Sequence, residues 1–246
     1  MKEKFRQKIF FPKKYNFMKK ELLVFGAGGA LGKGISSVLV KKDYDKIYLF
    51  NSSPFSFDAD EKAAAIVTCD LTVEENIIKA FENVKPSKDK IFFLFDTVGG
   101  YFGGKNISDT DSDDWDKMFG MNLKTSFLIA KHFIKLVKQS AGGSILFTAA
   151  YTGVNPEAKK AAYGASKGAL IHFVKSLALE GKEFKLSANA IAPFIIDTPA
   201  NREWMKGGYD SWVKPAEIGE LVYGIFSNFH IVTGNIIQLT ERFKIE

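Results

Sequence analysis

Short apolar runs that end in glycine or a polar residue alternate along this chain with amphipathic stretches of helical period. No other feature restricts its fold so tightly. Residues 21–25, 46–50, 64–69, 90–95, 144–148, 186–192 and 235–239 read as strands. Between them, residues 31–42, 73–84, 115–139, 161–180 and 215–227 read as helices. Residues 101–113 and 193–208 read as loops, the second with room for short helices. Strands joined through helices must run parallel, so the expected fold class is α/β: one domain, a doubly wound seven-stranded parallel sheet with helices on both faces. Ligands of such sheets sit beyond the carboxyl ends of the strands. The glycine-rich and polar segments fall there, at residues 26–32, 51–53, 70, 96–100, 148–152 and 193–198.

A length of 246 residues with 46% hydrophobic side chains suits a single α/β core. The net charge of +6 is unevenly spread. Residues 1–17 carry Lys2, Lys4, Arg6, Lys8, Lys13 and Lys14 against Glu3 alone, so the remainder is close to neutral. That distribution argues against a nucleic-acid partner for the domain. Residues 1–19 are expected to form a basic extension and 20–246 the domain. Several readings of the extension stand side by side: a disordered tail, a start of translation at Met18, an anchor to an anionic surface, or a segment whose phenylalanines pack on a neighbouring subunit. One cysteine, Cys69, excludes an intrachain disulfide and points to a reducing compartment. No apolar run approaches 18 residues and no secretory h-region is evident, so no membrane span is expected and the location is cytoplasmic.

Two local patterns carry chemistry. Gly26-Ala-Gly-Gly-Ala-Leu-Gly32 joins the first strand to the first helix. Glycines let the backbone approach a pyrophosphate, and the helix N-terminus offers unpaired N–H groups. A tight structural turn is the plainer reading. Tyr163 and Lys167 stand one helical turn apart, so both project from one face. An ammonium beside a phenol favours the phenolate and lowers its pKa, which equips the tyrosine for proton transfer. His132, His172 and His230 have no partners at ligand spacing and read as structural, so no metal is expected. The five aspartates between 109 and 116 do not follow a calcium-loop register and read as a helix N-terminus.

The combination resembles the short-chain dehydrogenase/reductase family from about Lys20 to Leu239, with a Rossmann-type single domain. Phe25 and Ala30 depart from that family's usual glycine-turn residues. The resemblance implies a cofactor site of Gly26, Gly28, Gly29, Ala30, Leu31, Gly32, Asn51, Ser52, Asp70, Leu71, Val98, Gly99, Tyr163, Lys167, Pro193, Ile196 and Thr198. It implies Tyr163, Lys167 and Asn122 as the catalytic set. Tyr163 would supply the proton, Lys167 would hold the nicotinamide ribose, Asn122 would position a water, and Thr198 would orient the carboxamide. Hydride would pass between the nicotinamide and a small carbonyl or imine substrate. Helices 115–139 and 161–180 often pair across subunits in such enzymes, which implies a homodimer or homotetramer.

Ala150 stands where the family has its catalytic serine, and alanine cannot donate a hydrogen bond to a carbonyl. Thr148, Tyr151 and Thr152 are the neighbouring candidates to replace it. Tyr101 and Trp204 join Thr148, Ala150 and Tyr151 as substrate-site candidates, and Trp204, Met205, Tyr209 and Trp212 read either as an aromatic lid or as core. Local runs such as residues 98–104, 163–168, 197–202 and 235–240 are similar to dihydropteridine reductases, which also lack the serine. A catalytically weak NAD(P)-binding sensor or scaffold is the alternative that Ala150 favours. The cofactor reads as NADP or NAD. The neutral Asn51, Ser52 and Ser53 favour NADP slightly, because nothing there repels a 2′-phosphate.

Overall fold

In a computed structural model, residues 17–57, 62–68 and 70–243 are described; the basic segment 1–16 and Cys69 lie outside them. The strands are β1 (Lys19–Phe25), β2 (Lys46–Asn51), β3 (Ala63–Val67), β4 (Lys90–Asp96), β5 (Gly142–Thr148), β6 (Leu186–Pro193) and β7 (Ile236–Leu239). They form one sheet in the order β3-β2-β1-β4-β5-β6-β7, and every neighbouring pair is parallel. β1 begins at Lys19, which pairs with Lys90, so the last residue of the expected extension already belongs to the sheet. The chain order reverses between β1 and β4, and the cleft beyond their carboxyl ends is where such a sheet opens to a ligand.

The helices are α1 (Ala30–Leu39), α2 (Glu74–Glu82), α3 (Ser112–Phe119), α4 (Thr125–Lys138), α5 (Tyr151–Val154), α6 (Ala161–Glu180), α7 (Pro199–Trp204) and α8 (Pro215–Ser227). Alternation within β1 sends Leu23 and Phe25 to a core shared with α2, α4 and α6. Leu22 and Val24 face the opposite core, shared with α1 and α8. Strands covered on both faces have no use for polar alternation, which is why β1 and β4 read as unbroken apolar runs. Phe25, Phe50, Phe92, Phe93, Phe95 and Phe147 are all fully buried. Each contributes about 1.5–3 kcal/mol by leaving water.

One expected element is divided. The helix predicted over 115–139 starts earlier, at Ser112, and contains a π-helical turn at Gly120–Lys124 between α3 and α4. The Thr125 hydroxyl donates to the Gly120 carbonyl at 3.2 Å, occupying an acceptor in the wider turn. The extra residue swings Asn122 into the interior, where it is fully buried. The aspartate cluster opens α3 as expected: Asp111 is its N-cap residue, and Asp113 and Asp114 occupy its first turn.

Candidate active site

The glycine turn is built around close backbone approach. Gly26 has φ +80°, and its carbonyl accepts the Gly29 N–H at 3.1 Å. A Cβ on Gly32 would lie 2.2 Å from that same carbonyl oxygen, so only glycine permits the crossing of turn and helix. Gly29 caps α1 without a side-chain hydrogen bond, which leaves the first N–H groups of the helix for an anion. Ala30 and Leu31 begin the helix behind it. Asn51, at the end of β2, folds back onto the turn. Its Oδ1 accepts the Gly28 N–H at 3.1 Å and its Nδ2 donates to the Ser53 carbonyl at 2.9 Å, while Ser52 is exposed. Asp70 is exposed, with Oδ1 accepting from the Thr72 N–H and hydroxyl, and Leu71 is buried beside it. These hydrogen bonds hold the Asp70 carboxyl below the usual carboxylate range.

On the other side of the switch point, α6 presents Tyr163 and Lys167. The Lys167 ammonium donates to the Thr148 carbonyl at 2.6 Å and is only 4% exposed. Asn122 fastens the loop after β4. Its Oδ1 accepts the Gly100 N–H at 2.9 Å, and its Nδ2 donates to the Gly100 carbonyl and to Ser166 Oγ, each at 3.1 Å. Gly99 lies against both groups, because a Cβ there would sit 2.8 Å from Asn122 Oδ1 and 3.1 Å from Lys167 Nζ. Val98 joins through its N–H, which donates to Asp96 Oδ1 at 2.9 Å.

The charges differ from the sequence expectation. Burial pushes the Tyr163 phenol up to about 12, and Tyr101 and Glu157 add to the rise. Burial draws Lys167 down to about 8, opposed by the Asp96 charge. The expected lowering of the phenol by the lysine is absent: desolvation leads the rise, and the Lys167 ammonium is turned to Thr148. A phenol at that value stays protonated at neutral pH, the state a proton donor requires.

Ala150 is buried, and the two threonines near it are both committed. Thr148 Oγ1 donates to the Asp96 carbonyl at 2.9 Å, and Thr152 Oγ1 donates to Glu157 Oε1 at 2.6 Å. Around the Tyr163 ring stands an aromatic wall. Tyr101 meets Tyr163 edge-on at 5.0 Å and Trp204 at 5.5 Å, and Tyr151 meets Phe194 at 5.1 Å. The segment read as lid or core divides between the two: Trp204 is 72% exposed at the mouth, whereas Trp212 is buried and Tyr209 packs on it at 5.0 Å. Pro193 ends β6, Ile196 bridges to Val213, and Thr198 caps α7 by accepting the Asn201 N–H at 3.3 Å.

Sequence reasoning placed Asp96 at the ligand end of the sheet without giving it a role, and overlooked Ser126, Glu157 and Phe194. Asp96 carried a signal, a carboxylate closing an otherwise apolar strand. Ser126 and Glu157 carried none, since only the fold brings them inward. His132, read from the sequence as having no partner, is buried with its Nε2 2.8 Å from Glu74 Oε1. Among the described residues no cluster of His, Cys, Asp and Glu could hold a metal, and no helix is long and apolar enough to cross a membrane.

The profile of the short chain dehydrogenase family matches residues 20–207. The chain belongs to that family. A dihydropteridine reductase of Dictyostelium discoideum is 29% identical over 234 residues, covering 93% of this chain and 97% of its own. An NAD-dependent glycerol dehydrogenase of Listeria innocua is 29% identical over 204 residues, covering 80% of this chain and 78% of its own. Among solved structures, ElxO with NADP bound superposes with a TM-score of 0.79 at 20% identity, covering 91% of this chain and 98% of its own. The 3-ketoacyl-(acyl-carrier-protein) reductase of Brucella melitensis complexed with NADH gives 0.78 at 21%, with the same coverage. These two likenesses establish the short-chain dehydrogenase fold.

Proposed function

We propose that this short-chain dehydrogenase is an NAD(P)-dependent reductase of a small carbonyl or imine, with Tyr163 as the general acid and base. The observation that carries the reading is the convergence of Tyr163, buried Lys167 and buried Asn122 beyond the carboxyl ends of β4 and β5, across the switch point from the glycine turn. The turn fits a dinucleotide: its uncapped helix N-terminus and the Gly32 crossing leave backbone N–H groups and room for a pyrophosphate. When bound, the nicotinamide supplies or accepts the hydride. Lys167 would hold the ribose hydroxyls with the donors that Thr148 leaves over, and Thr198 and Ile196 would line the carboxamide side. Leu71, Val98 and Asp70 would hold the adenine, and Asn51 and Ser52 would lie on the side of its ribose. No acid ends β2, which supports NADP over NAD. The name of the Dictyostelium relative pulls toward a pterin, for which NADH is the counter-candidate.

The missing serine supports the same relative. With Ala150 in place and Thr148 and Thr152 both engaged, a substrate that needs no donor beside Tyr163 fits better than a simple ketone. A quinonoid dihydropterin is such a substrate, and the wall of Tyr101, Tyr163 and Trp204 suits its flat ring. Ala150 equally supports a cofactor-binding sensor without turnover.

A subunit contact on α4 and α6 is part of the proposal. Phe127 is 46% exposed there, close to Phe173 at 6.0 Å, and with Phe119 and Leu123 it lines an open apolar concavity.

The test is oxidation of NADPH and NADH against quinonoid dihydropterin, diketones and 3-oxoacyl esters, with Tyr163→Phe as control. Turnover of the pterin that falls by about 10²–10⁴ in the variant supports the reading. Turnover that survives the substitution removes Tyr163 from its role. Tight cofactor binding without turnover of any substrate favours the sensor.

A further inference from the structure

Asp96 closes β4 inside the protein and has no part in the chemistry above. It is 1% exposed. Its carboxylate is held from two sides, Oδ2 accepting from Ser126 Oγ of α4 at 2.6 Å and Oδ1 from the Val98 N–H at 2.9 Å. Its backbone carbonyl accepts the Thr148 hydroxyl, and Thr148 in turn offers its own carbonyl to Lys167 Nζ. The main chain of Asp96 and the Lys167 ammonium are thus both tied to Thr148 of β5. Gly99, three residues past Asp96, has its Cα face against the Lys167 amine. A buried ammonium with only a neutral carbonyl for a partner is unfavourable, and it needs a counter-charge within the same low-dielectric region. Asp96 is the carboxylate whose charge acts on Lys167, and Lys167 the cation whose charge acts on Asp96.

We propose that Asp96 is a positioning residue that acts through Lys167: its ionised carboxylate keeps the Lys167 side chain in the ammonium form and seated on the Thr148 carbonyl. An ammonium has three N–H donors, so two remain for the ribose hydroxyls. A neutral amine would keep only two N–H donors in all, one of them already given to the Thr148 carbonyl. The inference rests on the role given to Lys167 in the proposed reductase. The remaining groups around the pair are neutral: Asn122 and Ser126 from the α3–α4 helix, Thr148 from β5 and Ser166 from α6. Tyr163 is the titratable neighbour on α6, and the charge that reaches it comes from Tyr101 and Glu157.

Burial raises Asp96 to about 6 and lowers Lys167 to about 8, and the charge of each opposes the other's shift. The experiment follows the Lys167 Cε resonance of ¹³C-lysine-labelled protein against pH, assigned with Lys167→Arg, in the wild type and in Asp96→Asn. The midpoint is expected to fall by about one pH unit or more in the variant. NADPH affinity is expected to fall about fivefold in Asp96→Asn at pH 8 and to recover toward wild type at pH 6.5, because a midpoint lowered by one unit from about 8 cuts the charged fraction at pH 8 from about one half to about one tenth and leaves it high at pH 6.5. A Lys167 midpoint that does not move, or an affinity loss equal at both pH values, overturns the proposal. Should Asp96→Asn fail to fold, the reciprocal measurement decides: the Asp96 carboxyl resonance must titrate higher in Lys167→Met than in wild type, and an unmoved midpoint overturns the proposal. If wild type binds neither NADPH nor NADH, the reductase reading falls, while the two NMR midpoints still decide the pairing.

Discussion

Gly99 is the position at which a single methyl group tests the site most directly. A Cβ added there would lie 2.8 Å from Asn122 Oδ1, 3.1 Å from Lys167 Nζ and 3.9 Å from Asn122 Cγ. Favourable contact begins near ~3.5 Å, so the Asn122 oxygen must yield by about 0.7 Å. That oxygen already accepts the Gly100 N–H at 2.9 Å, and the same displacement carries the bond to the edge of hydrogen-bonding range. Asn122 is fully buried, so no water replaces the lost partner. Leaving such a group unsatisfied costs about 1–3 kcal/mol, and the overpacking itself is of the same order; both describe one displacement and are not summed. In a chain of this size each kcal/mol lowers Tm by about 2–4 °C. Gly99→Ala should therefore melt several degrees below wild type by calorimetry and bind NADPH about tenfold more weakly, since the amine of Lys167 is pushed as well. Gly224→Ala in α8 is the control: nothing lies within 4 Å of its added Cβ, and alanine in a helix interior is favoured by about 0.8–1 kcal/mol. A Gly99→Ala protein with wild-type Tm and NADPH affinity would show that the approach of Gly99 to Asn122 and Lys167 is wrong.

Three further outcomes follow from the same geometry. Ala150→Ser should raise turnover of simple ketones by about 10–10³-fold, the usual worth of one such donor; steady-state kinetics on a diketone checks it, and no gain would mean that position 150 does not face the reacting carbonyl. With Lys167 drawn down to about 8 and Tyr163 held near 12, the ammonium is present below pH 8 and is lost as pH rises through it, while the phenol keeps its proton. The reductive rate should accordingly fall on the alkaline side with a midpoint near 8, and a flat profile from about pH 7 to 9.5 would contradict this assignment. Phe127→Asp should convert the expected dimer or tetramer to monomer in size-exclusion chromatography with light scattering, with Tm loss confined to that of dissociation; an unchanged assembly would place the subunit contact elsewhere.

Much of the architecture could be read before any coordinates. Seven apolar runs separated by helical stretches allow little other than a parallel sheet, and the strand ends differ by one or two residues from those expected. The helices over 161–180 and 215–227 match, because their boundaries carry local signals such as Pro215. The division of the long helix at Gly120–Lys124 was not legible. It depends on the Thr125 hydroxyl reaching back to the Gly120 carbonyl and on the space that opens for Asn122 beneath Gly100. Likewise the aromatic segment near α7 carries no periodicity to separate Trp204 at the mouth from Trp212 in the core.

Residue types and spacing alone determined which groups are available for chemistry here: a glycine turn before a helix, and a tyrosine and lysine one turn apart; the family resemblance added an alanine where its members carry a serine. Only the tertiary structure decided their protonation. Whether Lys167 lowers the Tyr163 phenol, or burial raises it, depends on how much water each group loses and which dipoles replace it. Those quantities arise from β4, β5, α4 and α6 meeting in space. The same meeting brings Asp96 to the other side of Thr148 from Lys167, although 71 positions separate the two in the chain. Desolvation and charge act through distance in three dimensions, and no local pattern along a sequence records that distance.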